Sequence, residues 1–306
     1  MRGVDEVLIF ANPIAGRGRS RVAAGRIARA LHRAGFGVHV FVERPAEIVA
    51  EQLACARGAR AVVAIGGDGT LRAVVDRLLA CAGPTQDVPP ILVVPFGTAN
   101  LMGRHLGLKW DDDAIDRQAL DAMQHGTVLA LDAARANGRL FLLMAGVGID
   151  AQVVHVLDQM RDGPIDLTSY VIPAALAFQA YRYPKLTVNV DGRRAFGPRP
   201  GVAFIGNVAE YGTGFPILPH ARTDDGLLDV CAMPCESRKD VLQLLLHAAA
   251  GEHLKLEDVV YVKGKRIRID SAEPVPVQID GEAADFTPIS IDLLPNRLPF
   301  IVPRAS

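Results

Sequence analysis

Cysteine is scarce in this chain: four residues, Cys55, Cys81, Cys231 and Cys235. The nearest pair, Cys231 and Cys235, lacks the two-residue spacing of a redox or zinc-binding pair, and no histidines cluster beside it. The four thiols therefore read as core or incidental groups of a reducing cytoplasm. An excess of either charge is also missing. Against 34 acidic side chains stand 33 Lys and Arg, a net charge of −1, so nothing points to nucleic acid or to constitutive binding of anionic membrane. No apolar run reaches about 18 residues, which excludes a membrane-crossing helix. The first apolar strand, Val7–Ala11, begins early enough that no signal peptide is expected before it. Repeats and low-complexity segments are absent. Half of the residues are hydrophobic and 29 are glycine, so a sizeable core is expected. The placement of the glycines carries the information.

The key stretch is Gly66-Gly67-Asp68-Gly69-Thr70, directly after the apolar run Ala61–Ile65 and before a helix-like segment, Leu71–Ala80. By average composition, five specified letters recur by chance on the order of 10⁻⁶ per position. Glycines let a phosphate approach the main chain, and a helix N-terminus favours negative charge. Asp68 would repel a phosphate, so it is expected to face Mg²⁺, the water shell of that ion, or a hydroxyl. The plain alternative is a tight strand–helix turn with an Asp cap, which would need only one or two glycines.

Strands and helices alternate through the first half. Strands are expected at 7–11, 38–42, 61–65, 91–94 and 128–133, and helices at 20–34, 47–57, 71–80 and 116–125. In the first helix Val22, Ile27, Leu31 and Ala34 share a side. Short loops between buried apolar strands suggest a parallel sheet with helical crossovers. After residue 133 the texture changes to short strands, at 139–145, 185–190, 201–206, 227–232, 258–262, 266–269, 276–279, 283–286 and 289–294, with helices at 167–180 and 237–250. The fold class is thus an α/β N-terminal domain, residues 1–133, followed by a β-rich, sandwich-like domain, residues 134–306. The last strand, Pro299–Val302, is apolar enough to pack, and a return to the first domain is left open.

Four further constellations stand beside the glycine turn. Asn12-Pro13-Ile14-Ala15-Gly16-Arg17-Gly18 follows the first strand, and Pro95-Phe96-Gly97-Thr98-Ala99-Asn100 follows the fourth. Alone, the first reads as a ligand loop or as a glycine-rich loop with no ligand, and the second as a ligand loop or as a helix start capped by Asn100 or Thr98. Three such loops after strands of one sheet would gather at its carboxyl edge, where α/β sheets bind ligands. Arg222-Thr223-Asp224-Asp225-Gly226-Leu227 suits a hard cation held by a carboxylate and carbonyls, or a solvated turn. Gln278-Ile279-Asp280-Gly281-Glu282 offers two carboxylates able to take a proton from a hydroxyl, or a plain Asp-Gly hairpin. Asp191-Gly192 is the same dipeptide without a second acid and reads as a turn.

With Gly146-Val147-Gly148-Ile149-Asp150-Ala151, whose glycines would permit close packing, these motifs resemble the bacterial diacylglycerol kinase catalytic family, a group that includes sphingosine and ceramide kinases. The resemblance spans nearly the whole chain. It implies a NAD kinase/diacylglycerol kinase-like α/β domain, a β-rich domain, and ATP between them. It also implies nucleotide contacts from Asn12, from Gly66, Gly67, Asp68, Gly69, Thr70, Leu71 and Arg72, and from Gly97, Thr98 and Asn100. Asp280 or Glu282 would be the general base. A structural Mg²⁺ would be held by Asp225 with the carbonyls of Arg222 and Leu227, and Asp68 would join it to Mg²⁺–ATP through waters. The reaction implied is transfer of the γ-phosphate to the hydroxyl of diacylglycerol or a related lipid, at the inner face of the membrane by transient peripheral contact. Homodimers are common in such families.

Two positions depart from the pattern. Many relatives carry an acid after the asparagine of the third loop, where this chain has Leu101. Many also carry a threonine and a glycine after the second strand, where it reads Val42-Glu43-Arg44-Pro45-Ala46. Two other functions remain open: a kinase of the same fold acting on a soluble alcohol such as NAD, and a non-catalytic nucleotide-binding regulator. The chain lacks the Asn-Glu dipeptide usual in NAD kinases, and it retains Asp68, Asp280 and Glu282. For the lipid side, Arg182, Arg193, Arg194 and Arg199 with Tyr181, Tyr183 and Phe196 form either an interfacial edge or a solvated face over packed rings. Leu101, Met102 and Leu106 line an acyl channel or belong to the core.

Overall fold

The computed structural model describes residues 5–53, 56, 58–83, 87–160, 171–212 and 214–304. The chain divides into two compact units, Met1–Leu131 with Asn296–Ser306, and Asp132–Pro295. Cys55 and residues 167–170 of an expected helix lie outside the described residues.

The first unit runs β1 (Glu6–Ala11), α1 (Arg19–Arg33), β2 (Gly37–Val42), α2 (Ala50–Leu53), β3 (Ala61–Gly66), α3 (Asp68–Ala82), β4 (Ile91–Pro95), α4 (Leu101–His105), α5 (Ile115–His125) and β5 (Thr127–Leu131). The last strand of the chain, β17 (Leu298–Val302), completes a six-stranded sheet in the order β2-β1-β3-β4-β17-β5. All neighbours pair in parallel except β17 and β5. Val7, Ile9, Val63, Ile65, Leu92 and Val94 on the sheet pack with Ile27 and Leu31 of α1 and with Ala119 and Met123 of α5. Val22, read as part of the buried side of α1, points to solvent, and Ala23 and Ala24 take its place. The expected helix over 47–57 is shorter, a 3-10 turn over Pro45–Glu47 followed by α2.

The second unit contains β6 (Ala134–Ala136), β7 (Arg139–Phe141), β8 (Met144–Val147), α6 (Ile149–Gln159), α7 (Val171–Ala180), β9 (Lys185–Val190), β10 (Arg193–Gly206), β11 (Leu228–Pro234), α8 (Arg238–Ala249), β12 (Val260–Gly264), β13 (Arg266–Ser271), β14 (Pro276–Ile279), β15 (Glu282–Phe286) and β16 (Ile289–Leu293). Its strands form one hydrogen-bonded network, β15-β14-β8-β10-β9-β13-β16-β6-β7, with β11 and β12 added beside β10. The long strand β10 joins the two halves. It pairs with β9 through its first residues, shifts register around Phe196, and pairs with β8 and β11 from Gly201 onward. Gly197 makes the shift feasible: its φ is +81°, and a Cβ there would lie 1.9 Å from the Leu186 carbonyl oxygen. Hydrophobic side chains from both halves, among them Phe141, Val188, Ile205, Val230, Ile269 and Val277, form one core. The α/β plus β-rich fold class read from the sequence is the observed one. The helix α6 was not anticipated, and the single strand expected over 139–145 is two, β7 and β8. No described helix is long and apolar enough to cross a membrane.

Candidate active site

The three glycine-bearing loops of the first unit meet at the carboxyl ends of β1, β3 and β4. Main-chain bonds bind them to the sheet: the Asn12 N–H donates to Ile65 O at 3.0 Å, and the Phe96 N–H to Gly66 O at 2.8 Å. The Asn12 amide donates to the buried Thr70 hydroxyl at 3.1 Å. Gly67 and Gly97 face each other so closely that a Cβ on Gly97 would lie 2.5 Å from the Gly67 Cα. Gly97 has no room for a side chain, and a Cβ on Gly67 would press to 3.1 Å from the Gly97 Cα. The Asn100 side chain closes its own loop, accepting from the Gly97 N–H at 2.7 Å and donating to Gly97 O at 2.7 Å. Thr98 is exposed beside it.

The glycine turn is more helical than its composition suggests. Gly66 ends β3, Gly67 caps α3, and Asp68, Gly69 and Thr70 are its first turn. The first N–H groups of a helix have no intrahelical partners, so this end is suited to phosphate oxygens. Leu71 is buried behind it in the core, and its N–H donates to Gly67 O at 3.1 Å.

Asp68 departs from expectation. Its two carboxylate oxygens accept the Leu101 and Met102 N–H groups at 3.0 and 3.1 Å. The acid caps the start of α4, tying the second loop to the third. Burial pushes its carboxyl above the ordinary value, while the Met102 and Leu101 N–H groups pull the other way. Leu101, where the resemblance led to the expectation of an acid, gives Asp68 its main-chain N–H. Met102 and Leu106 are core residues, so they do not line a channel.

In the second unit Asp280 and Gly281, with φ of +51° and +79°, turn the β14–β15 hairpin. The Asp280 carboxylate accepts N–H groups from Leu142, Leu143 and Met144 at 3.0, 3.0 and 3.2 Å. Asp191, in the Asp-Gly turn between β9 and β10, does the same with Lys265 and Arg266 at 3.1 and 2.9 Å. Asp280 therefore serves as a brace for the β7–β8 connection. Glu282 stands differently: it is half-exposed and ion-paired with Arg139 at 2.8 Å, and Arg139 also donates to Ala283 O at 3.0 Å.

Asp150 is the acid the sequence reading left without a role. It sits in the first turn of α6, with an Oδ2 that is shielded from solvent. Burial pushes its carboxyl up to about 6, opposed in part by Tyr211 and Gln278. Gln278 is wholly buried and accepts the Gly281 N–H at 2.9 Å, which links Asp150 to the Asp280 turn. The signal was an acid two residues after a glycine in an otherwise apolar stretch.

The Asp-Asp-Gly turn does not offer a ready cage for Mg²⁺. The Asp225 carboxylate accepts the Leu227 N–H at 3.1 Å and pairs with the Lys263 ammonium at 2.9 Å. Lys263 also lies 3.2 Å from the fully buried Asp229 and donates to the His220 carbonyl at 3.1 Å. Asp225 and Asp229 raise the Lys263 pKa despite its burial. The Arg222 guanidinium turns away to Asp224 at 3.1 Å. Among the described residues no group of three or more metal-ligating side chains is assembled. Lys263 supplies positive charge at this turn.

A parallel sheet whose strand-end glycine loops converge on a helix N-terminus, joined in one chain to a β-rich unit with an acidic hairpin, defines a phosphate-handling protein of the two-domain kinase type. Comparisons make this specific. Residues 6–136 match the diacylglycerol kinase catalytic domain, and residues 144–302 match the YegS C-terminal NAD kinase beta sandwich-like domain. A diacylglycerol kinase of Mycobacterium tuberculosis H37Rv is 30% identical over 309 residues, covering 98% of this chain and 96% of that protein. A diacylglycerol kinase of Bacillus subtilis 168 is 23% identical, covering 97% and 96%. The fold is that of a diacylglycerol kinase crystal structure from Bacillus anthracis Sterne, with TM-score 0.69, 22% identity and coverage of 99% and 98%. The chain belongs to the bacterial diacylglycerol kinase catalytic family, whose members use ATP and Mg²⁺.

Proposed function

We propose that the protein transfers the γ-phosphate of Mg²⁺–ATP to the hydroxyl of a diacylglycerol-type lipid, working at the membrane surface by peripheral contact. The observation that carries this reading is the convergence of three strand-end loops, with Gly67 against Gly97 and α3 opening at Asp68. Phosphoryl transfer asks the protein mainly for positioning and charge neutralisation. The N–H groups at the start of α3, with Gly69 and Arg72 on its first turns, suit phosphate oxygens. Asn12 and Thr70 brace the first loop on the second, and Asn100 holds Gly97 and Thr98 in place. Mg²⁺ on the nucleotide supplies charge neutralisation of the phosphates. Asp68 acts by fixing α4 and the third loop.

For the acceptor hydroxyl we assign Glu282 as general base and Asp280 as its positioning residue. Asp280 spends its oxygens on three main-chain N–H groups, whereas Glu282 is half-exposed with Arg139 orienting it. The test is transfer of labelled γ-phosphate onto diacylglycerol, phosphatidylglycerol, sphingosine, ceramide and monoacylglycerol in mixed micelles, with NAD as a soluble control. A Mg²⁺-dependent phospholipid product that vanishes in Glu282→Gln supports the reading. Product on NAD alone, or on no acceptor, refutes it.

A further inference from the structure

The helix α8 buries Val241 and Ala248. Beside that buried side, Leu242, Leu245 and Leu246 are 55, 52 and 63% exposed, and Ala249 is exposed as well. These positions, i, i+3, i+4 and i+7, form one stripe along a helix. Scattered surface leucines need no explanation, but three in register make an apolar patch that wants cover. The N-terminal end of the stripe is basic, with Arg238 and Lys239 both exposed. The one acid of the helix, Asp240, is turned back to accept the Glu236 N–H at 2.8 Å. Arg238 donates to Gln179 O at 2.9 Å and lies 5.9 Å over the Phe178 ring, which joins the start of α8 to the end of α7. On α7, Ile172 and Leu176 are exposed one turn apart.

We propose that α8, with the exposed side of α7, is the face on which the enzyme settles on an anionic lipid bilayer. The inference rests on the lipid-kinase reading, because an acceptor held in a bilayer must be met there, and no described helix crosses one. The chemistry fits an interface: leucines enter the acyl boundary while Arg238 and Lys239 meet phosphate headgroups. A second copy of this chain would also cover the leucines, but the exposed acid beyond the far end of α8, Glu252, is already paired with Lys255, so an antiparallel copy brings it no free carboxylate for Arg238 and Lys239. The basic-aromatic edge considered from sequence is less suited. Tyr181 and Phe196 are buried, and Arg199 is paired with Asp258 at 2.9 Å.

The test compares wild type with Leu242→Ser/Leu245→Ser/Leu246→Ser in flotation with phosphatidylglycerol–phosphatidylcholine vesicles. The variant should bind at least about tenfold more weakly and lose turnover on vesicle-borne diacylglycerol. Turnover of a short-chain diacylglycerol dissolved as monomers should be unchanged, which also controls for folding. As an independent readout, Leu246→Trp adds a second tryptophan to the single Trp110 of the chain. Its emission should shift to the blue with vesicles and be quenched by bromine-labelled acyl chains. Equal flotation of the triple variant, or Leu246→Trp emission that ignores the lipid, overturns the proposal. So does a dimer that becomes monomeric in the triple variant while vesicle binding persists. Wild type that floats but phosphorylates no lipid, monomeric or vesicular, refutes the kinase reading and leaves the docking face standing.

Discussion

Replacing Asp150 by asparagine should stabilise the protein at neutral pH and do little near pH 4. The carboxyl is pushed from 3.8 to about 6 by burial, against hydrogen bonds from Tyr211 and Gln278 that only partly offset it. The native state therefore holds a proton that the unfolded chain has released, and between these values stability must fall as pH rises. At 1.36 kcal/mol per pKa unit, the ionised form costs about 3 kcal/mol once the pH exceeds 6. That is an upper value, since the residue keeps an edge in solvent. The contribution is fully retained below pH 3.8 and fully lost above about pH 6. Asparagine has nearly the same shape and carries no charge, so the variant should lack this slope. For a domain of about 150–250 residues, 3 kcal/mol corresponds to roughly 6–12 °C in Tm. Scanning calorimetry of both proteins at pH 4.5, 5.5 and 7.5 would show the curves diverging with pH. Hydrogen exchange at β8 and α6 would place the change in the second unit. Parallel stability profiles would refute the reasoning, because they would mean that Asp150 ionises in the native state without cost. A buried charge retained at this cost fits a site where function outweighs stability, so the stabilised variant is expected to turn over lipid more slowly.

Four further outcomes are expected. Glu282→Gln should lower kcat by about 10²–10⁴-fold while ATP affinity, read by calorimetric titration, stays unchanged. Asp280→Asn places an amide donor against three main-chain donors and should cost about 1–3 kcal/mol in denaturant titration, with kcat falling as the hairpin loosens. Gly97→Ala drives a Cβ to within 2.5 Å of Gly67. The loops must part, and kcat/KM for ATP should fall by roughly 10²-fold. Lys263→Met leaves the buried Asp229 with only the Tyr261 hydroxyl, at 2.6 Å, and should destabilise by about 3 kcal/mol. If added Mg²⁺ then restores the lost Tm, Asp225 and Asp229 can exchange an ammonium for a metal. If the wild type already melts differently with and without chelator, Lys263 is not the cation of this turn.

What could be read from the sequence divides along physical lines. Apolar runs and turn residues act locally, so β1, β3, β4, β9, β14 and α5 were readable to within a residue or two. Glycines that admit close approach were readable as well: Gly66, Gly67 and Gly97 stand out by composition, and the structure brings Gly67 against Gly97. What the pattern cannot carry is the partner of a polar side chain. Asp68 was read facing a cation because an acid seemed misplaced near phosphate. The pattern did not show that two N–H groups of α4, more than thirty residues away in sequence, bond its oxygens. The same holds for Asp225, whose partner Lys263 lies on β12. Short amphipathic segments fail for another reason. In α6 the β-branched Ile149, Val153, Val154 and Val156 suit a strand as well as a helix, so the pattern does not separate the two, and in α1 Val22 faces solvent because it lies on the side of the helix away from Ile27 and Leu31. Asp280 joins both lessons. Its Asp-Gly turn was legible as a hairpin and ambiguous as a base, and Asp191 does the same bracing in a turn without a second acid. What sets the Asp280 turn apart is Glu282, which the Asp191 turn lacks, and the assignment of Glu282 as base is the proposal that Glu282→Gln tests.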